Sequence, residues 1–174
     1  IAGVAFSTFA SMFVMKYLLI DGGEAYNASV YTWAMVGDLR LEVGFMIDNL
    51  TAMMMVVVTF VSLMVHIYTI GYMTDDPGCQ RFFSYISLFT FAMLMLVMSN
   101  NFLHLFFGWE LVGLVSYLLI GFWFKKDTAT YANMKAFLVN RVGDFGFLLG
   151  IAGVLYFFGS LDYVTVFGKV EAFA

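Results

Sequence analysis

The chain has 174 residues, of which 63% are hydrophobic and 20% aromatic, with only 11% charged and a single proline. Soluble domains are roughly a quarter charged, so this composition excludes an ordinary globular domain and points to a polytopic membrane protein. The formal net charge of −4 is scattered between apolar runs with no basic block suited to nucleic acid, and the lone Cys79 supplies neither a disulfide framework nor a paired-cysteine metal or redox motif.

Five apolar spans predict an all-α membrane protein with a short β-hairpin in the loop after the first span. Residues 1–20 form the first, closed by Asp21-Gly22-Gly23-Glu24, with Lys16 near enough to that end to snorkel. The run begins inside apolar sequence without an initiator Met, and the chain is expected to be a fragment of a longer protein. Within the extramembrane loop 21–48, residues 30–35 and 39–47 are rich in Val, Tyr, Trp and Leu around the turn signal Gly37-Asp38. Leu39, Leu41 and Val43 alternate with Arg40, Glu42 and Gly44, which predicts a half-buried strand in a surface hairpin.

The second span, 49–72, carries Thr59, Ser62, His66 and Thr69 at steps of three and four, a single stripe expected to face protein. The third, 82–98, places Ser84, Ser87 and Thr90 on a similar stripe suited to interhelical hydrogen bonds. Ser99-Asn100-Asn101 turns the chain into the fourth span, 101–124, closed by Lys125-Lys126-Asp127; the fifth is 131–158, and 159–174 is expected to be a loop. The basic short loops at Arg81 and at Lys125, Lys126 place that side in the cytoplasm or matrix, with the mainly acidic loop 21–48 opposite.

The fourth span holds the anomaly. Glu110 lies near its middle, where an acidic residue costs about 2.5–3.5 kcal/mol to insert, so it must face protein or water with a partner or a proton. On the fifth span Arg141 and Asp144 are i,i+3 neighbours at a depth similar to that of Glu110. Moving a cation towards or away from a buried carboxylate switches it between holding and releasing a proton, so the three residues suit ion conduction. Gly113 and Tyr117 share the Glu110 face, leaving space for water and one hydroxyl. Lys135 points away from Asp144 and lies close enough to the basic side to snorkel. Gly143, Gly146, Gly150 and Gly153 form a stripe where another helix can approach. The depths of His66 and His104 differ too much for axial ligands of one haem iron. His104 is expected at the interface, and His66 either bridges helices or serves a proton path.

The run GWELVGLVSYLLIGFWF and the following MKAFLVNRVGDFGF, preceded by FMIDNLTAMM, VHIYTIGYM and RFFSYISLF, resemble the L-type, or chain 5, antiporter-like membrane subunits of respiratory complex I. Multisubunit sodium/proton antiporters share parts of the pattern, whereas RVGD after MKAF resembles the complex I form. The resemblance implies a multi-pass subunit of an energy-transducing inner membrane, bacterial or mitochondrial, in the membrane arm of a proton-translocating NADH:quinone oxidoreductase. It implies Glu110 as the coupling glutamate, Arg141 and Asp144 as its switching ion pair and Lys135 as a further family position. It also implies no catalytic residue, cofactor or metal in this chain, NADH, FMN, iron–sulfur clusters and quinone being handled by other subunits, and partners limited to those subunits, lipid, protons and water. A second transport reading is a subunit of a sodium/proton antiporter. A structural scaffold, with the buried charges fixing helix register, is the third.

Overall fold

The helices begin and end where local chemistry can satisfy their free backbone groups. The computed structural model describes residues 1–37 and 39–171, and five of its helices are long and apolar enough to cross a membrane. These are α1 (Ala2–Leu19), α2 (Asn49–Tyr72), α3 (Cys79–Val97), α4 (Phe102–Ile120) and α5 (Asp127–Phe158). Asp48 caps α2 by accepting from the Thr51 amide at 2.7 Å, and Asn101 caps α4 by accepting from the His104 amide at 2.8 Å. At the far end of α5, Gly159 takes a left-handed φ of +67° and returns its amide to the Leu155 carbonyl. Many large apolar side chains on these helices are solvent-facing, including Phe6, Phe9, Tyr68, Val142 and Tyr156, as lipid-facing surfaces require.

Between α1 and α2 lies an antiparallel hairpin of β1 (Tyr26–Val36) and β2 (Leu39–Ile47), registered from Tyr26↔Ile47 to Val36↔Leu39 with two bulges in β1. Gly37 turns it at φ +62°, while Asp38, the other half of the expected turn, lies outside the described residues. β1 starts four residues before its predicted start, because Tyr26-Asn27-Ala28-Ser29 has little strand character of its own and is ordered by pairing with β2. The expected alternation in β2 is also corrected. Gly44, assigned to the polar face, is the buried position, because the Asn100 side chain occupies the place a Cβ there would take.

Each membrane helix packs on the next in sequence, α1 on α2 through to α4 on α5. Close approach is made by small residues: Ala52 and Ala92 are fully buried, and a Cβ on Gly108 of α4 would come 2.7 Å from the Leu96 Cα of α3. The third and fifth spans begin as helices at Cys79 and Asp127, three and four residues before their expected starts, and two further segments depart from the sequence reading. The fourth span ends as a helix at Ile120, four residues early, because Arg81 donates to the Phe122 carbonyl at 3.1 Å and lies over its ring, drawing residues 121–125 into turns. The tail expected as a loop from 159 contains helix α6 (Tyr163–Glu171), whose first turn is tied by Asp162 accepting from the Thr165 amide at 2.9 Å.

The hairpin, the α3–α4 junction and the start of α6 gather at one end of the helices. Met46 donates to the Met98 carbonyl at 2.9 Å, Asn101 donates to the Glu42 carbonyl at 3.0 Å, and Phe102 donates to the Leu161 carbonyl at 3.0 Å. Residues 73–78 and 121–126 meet at the other end.

Candidate intramembrane ion-pair site

Helix α4 brings Glu110, its ninth residue, to a depth of about 12 Å below the hairpin end at ~1.5 Å per residue. The facing helix α5 presents Arg141 and Asp144 one turn apart. Arg141 Nη1 is paired with Glu110 Oε2 and lies 3.4 Å from Asp144 Oδ2, so one guanidinium bridges carboxylates on two helices. Asp144 is buried and receives a hydrogen bond at 2.8 Å from the indole Nε1 of Trp109, the residue beside Glu110 on α4. The Arg141 guanidinium carbon also sits 4.6 Å from the Phe137 ring centroid. One cation against two carboxylates leaves a negative charge that one proton can cancel, and the Trp109 bond fixes which carboxylate oxygen remains free to compete.

Beside this cluster runs a groove of about 310 Å³ between Val112, Gly113 and Ser116 of α4 and Asn140, Gly143 and Asp144 of α5. A Cβ on Gly113 would meet no described atom within 4 Å, in keeping with the space expected there. Tyr117 does not supply the groove's hydroxyl. Its ring packs edge-on against Phe137 at 5.2 Å, and Ser116 lines the groove instead.

Other sequence candidates lie apart. Lys135 is exposed on α5 and joins no ion pair among the described residues. His66 is fully buried on α2 and faces α3. Its Nδ1 approaches the Ser62 carbonyl at 2.8 Å, which only accepts, so Nδ1 carries the hydrogen and Nε2 accepts from the Ser87 hydroxyl at 3.0 Å. Ser62 and Thr90 hydroxyls meet at 2.5 Å in the same layer. The stripe of Thr59, Ser62, His66 and Thr69 thus faces protein, and His66 bridges α2 to α3. Ser84, expected to bond across helices, is exposed and turns back to the Gln80 carbonyl at 3.0 Å.

His104 is corrected from interfacial to buried. Its Nδ1 donates to the Gly44 carbonyl of β2 at 2.9 Å, so hairpin docking covers it. The glycine stripe expected to receive a helix does not do so among the described residues. A Cβ at Gly143, Gly146, Gly150 or Gly153 would find no described atom within 4 Å.

Trp109 and Gly108 are the site residues that the sequence reading passed over. The signal was the Gly-Trp-Glu tripeptide: three successive helical positions spread over about 200° let Gly108 meet α3 while Trp109 and Glu110 both reach α5.

A ladder of apolar helices around a shared arginine–carboxylate cluster, with a docked hairpin at one end, defines a polytopic membrane protein with an intramembrane ion-pair site. The fold matches a chain of the membrane-bound sulfane sulfur reductase, an archaeal respiratory membrane complex, with a TM-score of 0.79 at 17% identity, over 94% of this chain and 32% of that one. Residues 33–83 match the model of the N-terminus of NADH-ubiquinone oxidoreductase (complex I) chain 5, and residues 99–172 match the transmembrane model of NADH:quinone oxidoreductase and Mrp antiporters. The chain is 68% identical over 170 residues to NADH-quinone oxidoreductase subunit L of Neisseria meningitidis serogroup B, covering 96% of this chain and 25% of that protein. It is 51% identical over 149 residues to NAD(P)H-quinone oxidoreductase chain 5 of Synechocystis, covering 86% and 22%. The chain belongs to the complex I subunit L/chain 5 family of antiporter-like membrane subunits, and it spans about a quarter of the length of the curated relatives it matches.

Proposed function

We propose that this chain forms part of a proton path in the membrane arm of an NADH:quinone oxidoreductase, moving protons in response to quinone reduction elsewhere in the assembly. The observation that carries the reading is the Arg141 bridge between Glu110 and Asp144, which offers one cation two positions a few ångströms apart. When Arg141 sits with Glu110, the glutamate is held as the anion; when Arg141 shifts to Asp144, Glu110 loses its counter-ion and takes up a proton. The chain itself is a translocating subunit with no redox centre. NADH, FMN, iron–sulfur clusters and quinone belong to neighbouring subunits, which are its partners together with lipid, water and protons. His66 and Lys135 are proposed to lie on the way to and from the cluster, His66 through its hydroxyl layer and Lys135 towards the basic end, which faces the cytoplasm or matrix.

Purification of the full-length protein with its neighbours from native membranes tests this assignment. The expected preparation carries flavin and iron–sulfur absorbance and reduces quinone with NADH. A preparation lacking both, and exchanging sodium for protons across vesicles, would instead favour the antiporter reading suggested by the shared transmembrane model.

A further inference from the structure

At the end of the helices opposite the hairpin, the loop between α2 and α3 and the turns after α4 enclose a cleft of about 550 Å³. Three cations, Arg81, Lys125 and Lys126, line it together with a carboxylate, Asp76. The carboxylate is already engaged: Asp76 accepts from the Gly78 amide at 2.7 Å and from the Trp123 indole at 3.1 Å, which ties the two loops into one rim. The cations are not paired within 4.0 Å of a carboxylate. None of the three joins an ion pair among the described residues, although Arg81 donates one N–H to the Phe122 carbonyl and exerts a weak pull on Asp76. Aromatic rings hold the charges in place. The Arg81 guanidinium carbon is 5.1 Å from the Phe124 centroid and Lys126 Nζ is 5.3 Å from that of Trp123.

From this arrangement we infer that the cleft is a binding site for the phosphate headgroup of an anionic phospholipid. The cleft has a net positive lining and lies at the ends of membrane spans, where headgroups sit. Trp123 and Phe124 are 40% and 59% exposed beside the cations, an apolar shelf for the glycerol and upper acyl chain that a free phosphate ion would leave unused. Basic pockets between membrane helices, flanked by interfacial aromatics, take this class of ligand.

The test uses the full-length protein in its purified membrane assembly, reconstituted in phosphatidylcholine nanodiscs with a trace of photoactivatable phosphatidylglycerol or photoactivatable phosphatidylcholine. Labelled peptides are then mapped by mass spectrometry. Label from phosphatidylglycerol is expected in residues 74–81 and 122–127 in excess of label from phosphatidylcholine. It should fall roughly fivefold with each charge removed in Lys125→Gln and Lys126→Gln, and resist inorganic phosphate. Those lysines are the primary variants because Arg81 also holds the Phe122 carbonyl; Arg81→Gln serves as a second arm, with folding checked by thermal melting. Equal labelling by the two lipids, undiminished labelling in the double lysine variant, or no labelling because another subunit covers the cleft would overturn the inference. Displacement by inorganic phosphate would likewise overturn it, by making the site one for the free anion.

Discussion

Trp109 on α4 donates its indole N–H to Asp144 on α5 at 2.8 Å, so the residue next to Glu110 restrains the carboxylate that competes with Glu110 for Arg141. The Trp109 bond therefore biases the position of the shared guanidinium. It weakens the claim of Asp144 on Arg141 and leaves Arg141 nearer Glu110.

Removing that restraint tests the bias. Trp109→Phe retains an aromatic ring and its edge-on packing with Phe147 at 5.7 Å, but deletes the donor. A hydrogen bond to a charged group is worth about 1.5–3 kcal/mol, enough to move the Arg141 partition about tenfold or more. The variant should assemble and translocate protons at a stoichiometry below the parent. Parental stoichiometry in assembled Trp109→Phe would show that Asp144 needs no indole to hold it.

Two glycines should respond in opposite ways to the same change. Gly108→Ala places a methyl group against the backbone of Leu96, 2.7 Å from Cα and 2.8 Å from the amide nitrogen, and those atoms cannot swing aside. A cost of about 1–3 kcal/mol is expected, seen as a lower melting temperature in detergent. Gly146→Ala meets no described atom within 4 Å and gains helix propensity of up to about 1 kcal/mol, so the subunit should melt no lower than the parent. If Gly108→Ala melted like the parent, the close α3–α4 approach would be wrong. If Gly146→Ala assembled poorly despite normal melting, a helix of a neighbouring subunit would occupy that face.

The loop clasp at the basic end carries a pH dependence. The Gly78 amide, foremost, and then the Trp123 indole hold the Asp76 carboxyl below its ordinary value of 3.8, with Arg81 adding a smaller pull. A depressed folded-state value means that the clasp contributes fully above the ordinary carboxylate range and is lost as pH falls below 3.8 through the folded value. Trp123 fluorescence should therefore change in acid on the low side of that range, and Asp76→Asn should remove the transition. A transition centred above the ordinary value would contradict the two hydrogen bonds.

Much of this molecule is readable from residue order because a bilayer leaves few options for the backbone: spans such as 49–72 had to be helices, and the polar stripe through Thr59 and His66 had to turn inward. The pairing of Arg141 with Asp144 followed from helical spacing, and its reach to Glu110 from matched depth. What escaped the sequence depended on contacts between distant segments. Arg81 ends α4 early from forty-one residues away, Asn100 decides that Gly44 is buried, and Gly44 in turn covers His104. The open glycine face shows the converse limit: small residues reveal where a neighbour can approach without revealing whether that neighbour belongs to the same chain.

Proton uptake into sealed vesicles per quinone reduced, with assembly checked on a native gel, tests the central claim most directly. Glu110→Gln preserves shape and much of the hydrogen bonding while deleting the charge that Arg141 pairs with. The account predicts that Glu110→Gln assembles but loses most of its pumping, that Glu110→Asp retains part, and that Asp144→Asn falls between Glu110→Gln and the parent because Asp144 acts only through Arg141. Glu110→Gln assembling normally and pumping with parental stoichiometry would contradict it and reduce the carboxylate to a helix tie.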